Sequence, residues 1–139
     1  MIVCDTSGLV AVYSAGDSRR GRIADLLSSD PEALIMSPFV LAELDYLIAT
    51  RAGVDDELKV LSDVAAGVYS LADFGPADVE QAADIVERYR EMRIGLADAS
   101  LVVLAARYDT TRLLTLDERH FRAIHPLRGD AFTILPADS

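Results

Sequence analysis

Met1–Tyr13 reads MIVCDTSGLVAVY, and the reading of this stretch decides the fold. Met1–Cys4 is a short apolar run of the kind that lies buried within a parallel sheet. It stops abruptly at Asp5. Thr6, Ser7 and Gly8 follow, and an apolar helical pattern then spans Ser7–Ser14. A strand that ends in an acid and turns straight into a helix has two readings. Asp5 caps the helix, or it emerges at the sheet edge as a ligand or catalytic group.

The same alternation continues along the chain. Ser18–Ser28 reads as a helix and Ala33–Met36 as a second strand. Ser37-Pro38 is a helix start, with Ser as N-cap and Pro at the first helical position. That helix runs to about Ala52 and stops at Gly53. Asp55–Ala66 is helical up to Gly67, and Val68–Leu71 is a third strand. Gly75-Pro76 opens a long helix over Ala77–Met92, and another runs from Ala97 to Tyr108. Arg112–Leu116 is a fourth strand, a short helical turn follows Asp117, and Phe132–Leu135 is the last strand. Strands separated by helices require crossover connections. The expected fold is therefore α/β: a mainly parallel sheet of about five strands with helices on both faces. Without repeats or linkers, residues 1–139 read as a single domain.

Composition narrows the function. Hydrophobic residues make up 51% of the chain, enough for a core without metal or disulfide staples. Cys4, the one cysteine, lies in the first strand and reads as an inert core residue suited to a reducing compartment. No apolar run approaches the roughly 20 residues that span a bilayer, so a cytoplasmic protein without membrane contact is expected. The formal net charge of −10 argues against coating nucleic acid by bulk electrostatics. Twelve of the 13 basic residues are Arg, the residue suited to forked phosphate or carboxylate contacts.

In a parallel α/β sheet, ligands collect outside the carboxyl ends of the strands. Asp5 and Asp117 both follow strands, so their carboxylates emerge at one edge. Asp98 opens an apolar helix in IGLADASLVVLAARY. Glu43 lies in SPFVLAELDYLIA among Phe39, Val40, Tyr46 and Leu47. An acid in such surroundings costs several kcal/mol unless it is paired or binds a cation. Asp45 is a neighbouring acid on the same helix, and periodicity does not decide which of the two faces inward. Asp5, Asp98 and Asp117 all occupy positions where caps or first-turn acids are favoured. As a set in one cleft, the four would repel one another and hold protons. A divalent cation removes that repulsion, and oxygen ligands suit Mg²⁺ or Mn²⁺. Such an ion activates water for phosphodiester hydrolysis. The hydroxyls of Thr6, Ser7 and Thr115 are placed either to orient water or phosphate or to cap locally.

The runs VCDTSGLVA, SPFVLAEL, GLADASLVVLA and LLTLDERHF, in this order, resemble the four motifs of the PIN-domain ribonucleases, and among them the VapC-type toxins of bacterial toxin–antitoxin pairs. The resemblance covers essentially the whole chain. It implies a PIN-like three-layer sandwich and an acidic pocket that holds Mg²⁺ or Mn²⁺. It implies metal-dependent endonucleolytic cleavage of RNA. Asp5, Glu43, Asp98 and Asp117 match the family's catalytic and metal-binding acids, and Thr6, Ser7 and Thr115 match its hydroxyl positions. A homodimer and a cognate antitoxin that can block the pocket are implied as well.

Arg19, Arg20, Arg22, Arg119 and Arg122 are candidates to guide phosphate or to meet an acidic antitoxin tail, and the sequence does not separate these roles. His120 and His125 stand beside no nucleophile pattern and read as structural or surface residues. A phosphoryl-receiver domain would need a lysine after a late strand, whereas Lys59 sits in a mid-chain helix. A haloacid-type phosphatase would need Asp-x-Asp after the first strand, whereas this chain has Asp5-Thr6-Ser7. The rival of another class is a non-catalytic PIN-like module that binds metal or a protein partner.

Overall fold

The structure, a computed structural model, describes residues 1–139. Five strands form one parallel sheet: β1 (Ile2–Cys4), β2 (Leu34–Met36), β3 (Ser70–Leu71), β4 (Arg112–Leu114) and β5 (Thr133–Leu135). Their order is β3-β2-β1-β4-β5. Between them run α1 (Thr6–Tyr13), α2 (Arg20–Ser29), α3 (Pro38–Ala52), α4 (Val54–Ala65), α5 (Pro76–Arg88), α6 (Leu96–Arg107) and α7 (Glu118–Ala123). The chain winds outward from β1 to β3, then returns across the sheet to β4 and continues to β5. With right-handed crossovers, the reversal puts α1–α4 on one face and α5–α7 on the other. Contacts of α1 with α2 and α3, of α3 with α4, and of α5 with α6 follow that division, and α3 also meets α6 across it.

β1 sits at the centre, and Ile2, Val3 and Cys4 are fully buried. Burial, with a smaller contribution from Asp5, pushes the Cys4 thiol up to about 12, so it is an inert core residue. Helix α6 is the most enclosed helix, with Ala99–Ala105 all buried. Its polar Ser100 is satisfied by Ser37: the hydroxyls lie 2.7 Å apart, and Ser37 Oγ accepts from Phe39 N at 3.1 Å. This pair joins the start of α3 to the first half of α6.

The fourth strand is shorter than the apolar run Arg112–Leu116. Leu116 N donates to Ser7 Oγ at 2.9 Å, and Asp117 N donates to Thr115 Oγ1 at 3.0 Å. Side chains thus take the donors that a longer strand would give to its neighbour. The helix expected over Ala77–Met92 is broken at Tyr89, and Arg90–Met92 forms a separate 3₁₀ turn that ends at Arg93 with a left-handed φ of 53°. Tyr89 Oη accepts from His125 N at 2.9 Å, a tertiary contact invisible to local periodicity.

Candidate active site

The strand order reverses between β1 and β4, which opens a crevice at their carboxyl ends, and Asp5 stands there. Asp5 N donates to Leu114 O at 2.8 Å, continuing the pairing one residue beyond the strands. Its side chain is almost completely buried at 5% exposure. Asp5 Oδ2 accepts from Thr115 Oγ1 at 2.7 Å and from Ser7 Oγ at 2.9 Å, while Oδ1 accepts from Thr6 N at 2.8 Å. Asp5 is the N-cap of α1, and it also lines a pocket. Burial raises its pKa, the three donors oppose that, and the Glu43 charge adds to it.

The pocket measures about 370 Å³, and Asp5, Glu43, Asp98 and Asp117 all line it. Asp98 comes from the first turn of α6. Burial first, then the charges of Asp5, Asp117 and Glu43, push it up to about 6 against the opposing pull of His120. Asp117 is the N-cap of α7, with Oδ1 accepting from His120 N at 3.1 Å. Glu43 departs from the expectation of an acid embedded in apolar surroundings: it is exposed at the pocket's α3 wall, one turn before Leu47. Asp45 turns away toward α4. The neighbouring Asp45 carboxyl, with burial adding to it, raises the Glu57 carboxyl above its usual range.

The three hydroxyls differ in what they touch. Those of Ser7 and Thr115, 3.2 Å apart, are both spent on fixing the Asp5 carboxylate. Thr6 Oγ1 is buried without a hydrogen-bond partner at the pocket wall.

Two residues belong to the site although the sequence reading placed them elsewhere or passed over them. His120 Nδ1 lies 2.9 Å from Asp117 Oδ2 and 3.8 Å from Asp98 Oδ2. The closer approach lacks hydrogen-bond alignment, leaving Nδ1 buried without a hydrogen-bond partner. The structure thus places His120 beside two of the pocket's acids; its i,i+3 spacing to Asp117 across the helix start was the available signal. His125 is exposed and tied through its backbone to Tyr89. Arg51, eight residues after Glu43 on α3, also lines the pocket. Among the arginine candidates only Arg19 lines it, with its Nε and Nη2 donating to Asp17 at 3.2 and 3.1 Å. Arg22 donates to Pro136 O at 2.9 Å, and Arg122 is bound to Asp138 and Glu118. Arg20 lines a larger, mostly apolar cavity of about 600 Å³ bounded by α1, α2 and α4. The smaller pocket is the candidate site, because only there do four carboxylates gather.

The donor set suits a hard divalent cation. Every acid offers oxygen donors, burial raises both Asp5 and Asp98 with neighbouring carboxylates adding to it (Glu43 for Asp5; Asp5, Asp117 and Glu43 for Asp98), and the polar Thr6 Oγ1 is orphaned beside them. No three His, Cys, Asp or Glu groups converge as the direct shell of one ion. An ion here would have to draw much of its shell from water, as Mg²⁺ can.

The PIN-domain family model matches residues 2–125. The chain belongs to the PIN-domain family. Within that family, this PIN domain is 50% identical over 135 residues to ribonuclease VapC26 of Mycobacterium tuberculosis, covering 97% of this chain and all of the relative. The crystal structure of M. tuberculosis VapC20, a sarcin-ricin-loop-cleaving toxin, superimposes with a TM-score of 0.78 at 25% identity, covering 84% of this chain and 90% of the other. The VapBC2 structure from Rickettsia felis, bound to a DNA fragment from its promoter, matches with a TM-score of 0.70 at 19% identity over 96% of this chain and 98% of that one. The second structure speaks to the fold alone. The PIN-like α/β sandwich and the VapC-type kinship implied by the four motifs are both borne out.

Proposed function

We propose that this PIN domain is a divalent-metal-dependent endoribonuclease, acting in the cytoplasm as the toxin of a toxin–antitoxin pair. The observation that carries the reading is the buried Asp5 at the end of β1, fixed by three donors and facing Asp98, Asp117 and Glu43 across one pocket. The ribonuclease name of the 50%-identical VapC26 supports RNA as the substrate class, and the VapC20 toxin supports the biological role. A cognate antitoxin and a homodimer are part of the same proposal.

Asp5, Glu43, Asp98 and Asp117 would hold Mg²⁺ or Mn²⁺. When bound, the ion supplies positive charge that activates water and steadies the leaving oxygen. The chain supplies position. Ser7 and Thr115 keep Asp5 Oδ2 in one orientation, so no rotamer search precedes the reaction. The N-terminal turn of α7 holds Asp117 through the His120 N–H, and the His120 ring lies within 4.0 Å of both the Asp117 and Asp98 carboxylates.

The deciding experiment incubates the purified protein with total cellular RNA and maps new 5′ ends by sequencing, with Mg²⁺, Mn²⁺ or chelator in parallel. Discrete ends that require the ion and vanish in Asp98→Asn are expected. Identical ends from the Asn variant would assign the cleavage to a contaminant. Absence of both cleavage and metal binding would leave a protein-binding module.

A further inference from the structure

Glu43, Leu47 and Arg51 are spaced i, i+4 and i+8 along α3, and all three line the acidic pocket. We propose that Arg51 is a substrate-positioning residue that grips an RNA backbone phosphate at the α3 lip of this pocket, an inference that rests on the nuclease reading above. Its guanidinium is the unspent one. It takes part in none of the ion pairs, so no carboxylate oxygen lies within 4.0 Å of it. The other pocket arginine, Arg19, has its fork closed on Asp17. Arg51 therefore faces a chamber of four carboxylates yet neutralises none of them, leaving its planar donors open to a bidentate phosphate contact.

Position determines which phosphate it takes. Eight residues at about 1.5 Å each place Arg51 about 12 Å along α3 from Glu43. A phosphate at Arg51 is thus a neighbour of the one undergoing cleavage. In a chain of net charge −10 the acidic pocket repels a polyanion, and one cation at its lip selects the side from which the backbone enters. A purely structural role exists for comparison: Arg51 lies in the last turn of α3, where a cation stabilises the helix end. That role would act on melting temperature and would leave RNA untouched.

The test uses the full chain with Asp98→Asn as a background that silences cleavage. A short mixed-sequence single-stranded RNA carrying fluorescein is titrated by anisotropy at fixed Mg²⁺ while KCl is varied. Adding Arg51→Gln is expected to weaken binding about tenfold and to reduce the slope of log K against log[salt] by about 0.7, the loss of one phosphate contact. Arg51→Lys should restore the slope, because it restores the charge. Arg88→Gln, an exposed arginine on α5 outside the pocket, should change neither quantity. An unchanged slope in Arg51→Gln, with or without a lower melting temperature, overturns the proposal, and so does a background protein that binds no RNA. The two readings fail separately. Cleavage by the parent with an unchanged slope removes only the role of Arg51. A reduced slope without cleavage by the parent removes the nuclease and leaves the phosphate contact.

Discussion

Asp98 bears most visibly the cost of burying a carboxylate, with crowding by other carboxylates adding to it. Its pKa of about 6 stands well above the ordinary 3.8, so between those values the native state holds more protons than the unfolded chain. Stability from this group therefore falls as pH rises through that window; the penalty is complete above about pH 6 and absent below about pH 3.8. The shift corresponds to a penalty of about 3 kcal/mol at most, reduced by whatever the pocket relaxes. In chelator near pH 7.5, Asp98→Asn is expected to melt a few degrees above the parent, and the two should converge near pH 4. Thermal melts at both pH values check this. An Asn variant that melts lower at each would identify Asp98 as a structural acid with no unfavourable charge to relieve. At this scale the sequence disclosed three acids clearly, because each directly follows a strand or opens a helix. Glu43 and Asp45 were separable only once α3 had been packed against α4. Arg51 escaped notice because its significance lies in having no partner, a property of three-dimensional surroundings that no sequence window contains.

The elements bring the residues to their places through close contacts at junctions. Helix α1 begins one residue after the N-cap Asp5, and a Cβ added at Gly8 would lie 2.8 Å from Leu114 Cγ and 3.2 Å from Leu114 O. The absent side chain lets α1 descend onto the end of β4, which in turn lets Ser7 reach both Asp5 and Leu116 N. Gly8→Ala should gain slightly in helix propensity and lose more to overpacking, for a net destabilisation of about 1–2 kcal/mol. It should lower RNA cleavage as well, by tilting Ser7 away from Asp5. Denaturant unfolding and a cleavage assay on the same sample would measure both; an Ala variant of parental stability and activity would show that α1 has room to spare. Element boundaries that rest on local chemistry were legible, as at Ser37-Pro38 and Gly53. The early end of β4 was not, because Ser7 captures Leu116 N from 109 positions away. The break at Tyr89 was hidden for the same reason, its hydroxyl being engaged by His125.

At the scale of the whole molecule, the strand order β3-β2-β1-β4-β5 converts a scattered set of acids into one site. Alternating strands and helices in the sequence imply a parallel sheet but leave its order open. A parallel sheet already puts Asp5 and Asp117 at one edge, but their meeting in one pocket, with Asp98 entering from α6, becomes visible only when β4 is seated beside β1. The same arrangement governs how RNA can approach. A chain of net charge −10 whose reactive pocket holds four carboxylates presents a repulsive field to a polyanion, and Arg51 alone cannot reverse it. Divalent ions at the pocket would cancel the repulsion where it is strongest. RNA binding by the Asp98→Asn protein should therefore weaken steeply in chelator and recover with Mg²⁺, even at low ionic strength where ordinary basic RNA-binding surfaces hold most tightly. Anisotropy titrations in chelator and in Mg²⁺ would distinguish the two behaviours. Tight binding in chelator that decays smoothly with salt would mean that RNA rests on a basic surface elsewhere on the molecule, with the acidic pocket serving cleavage but not capture.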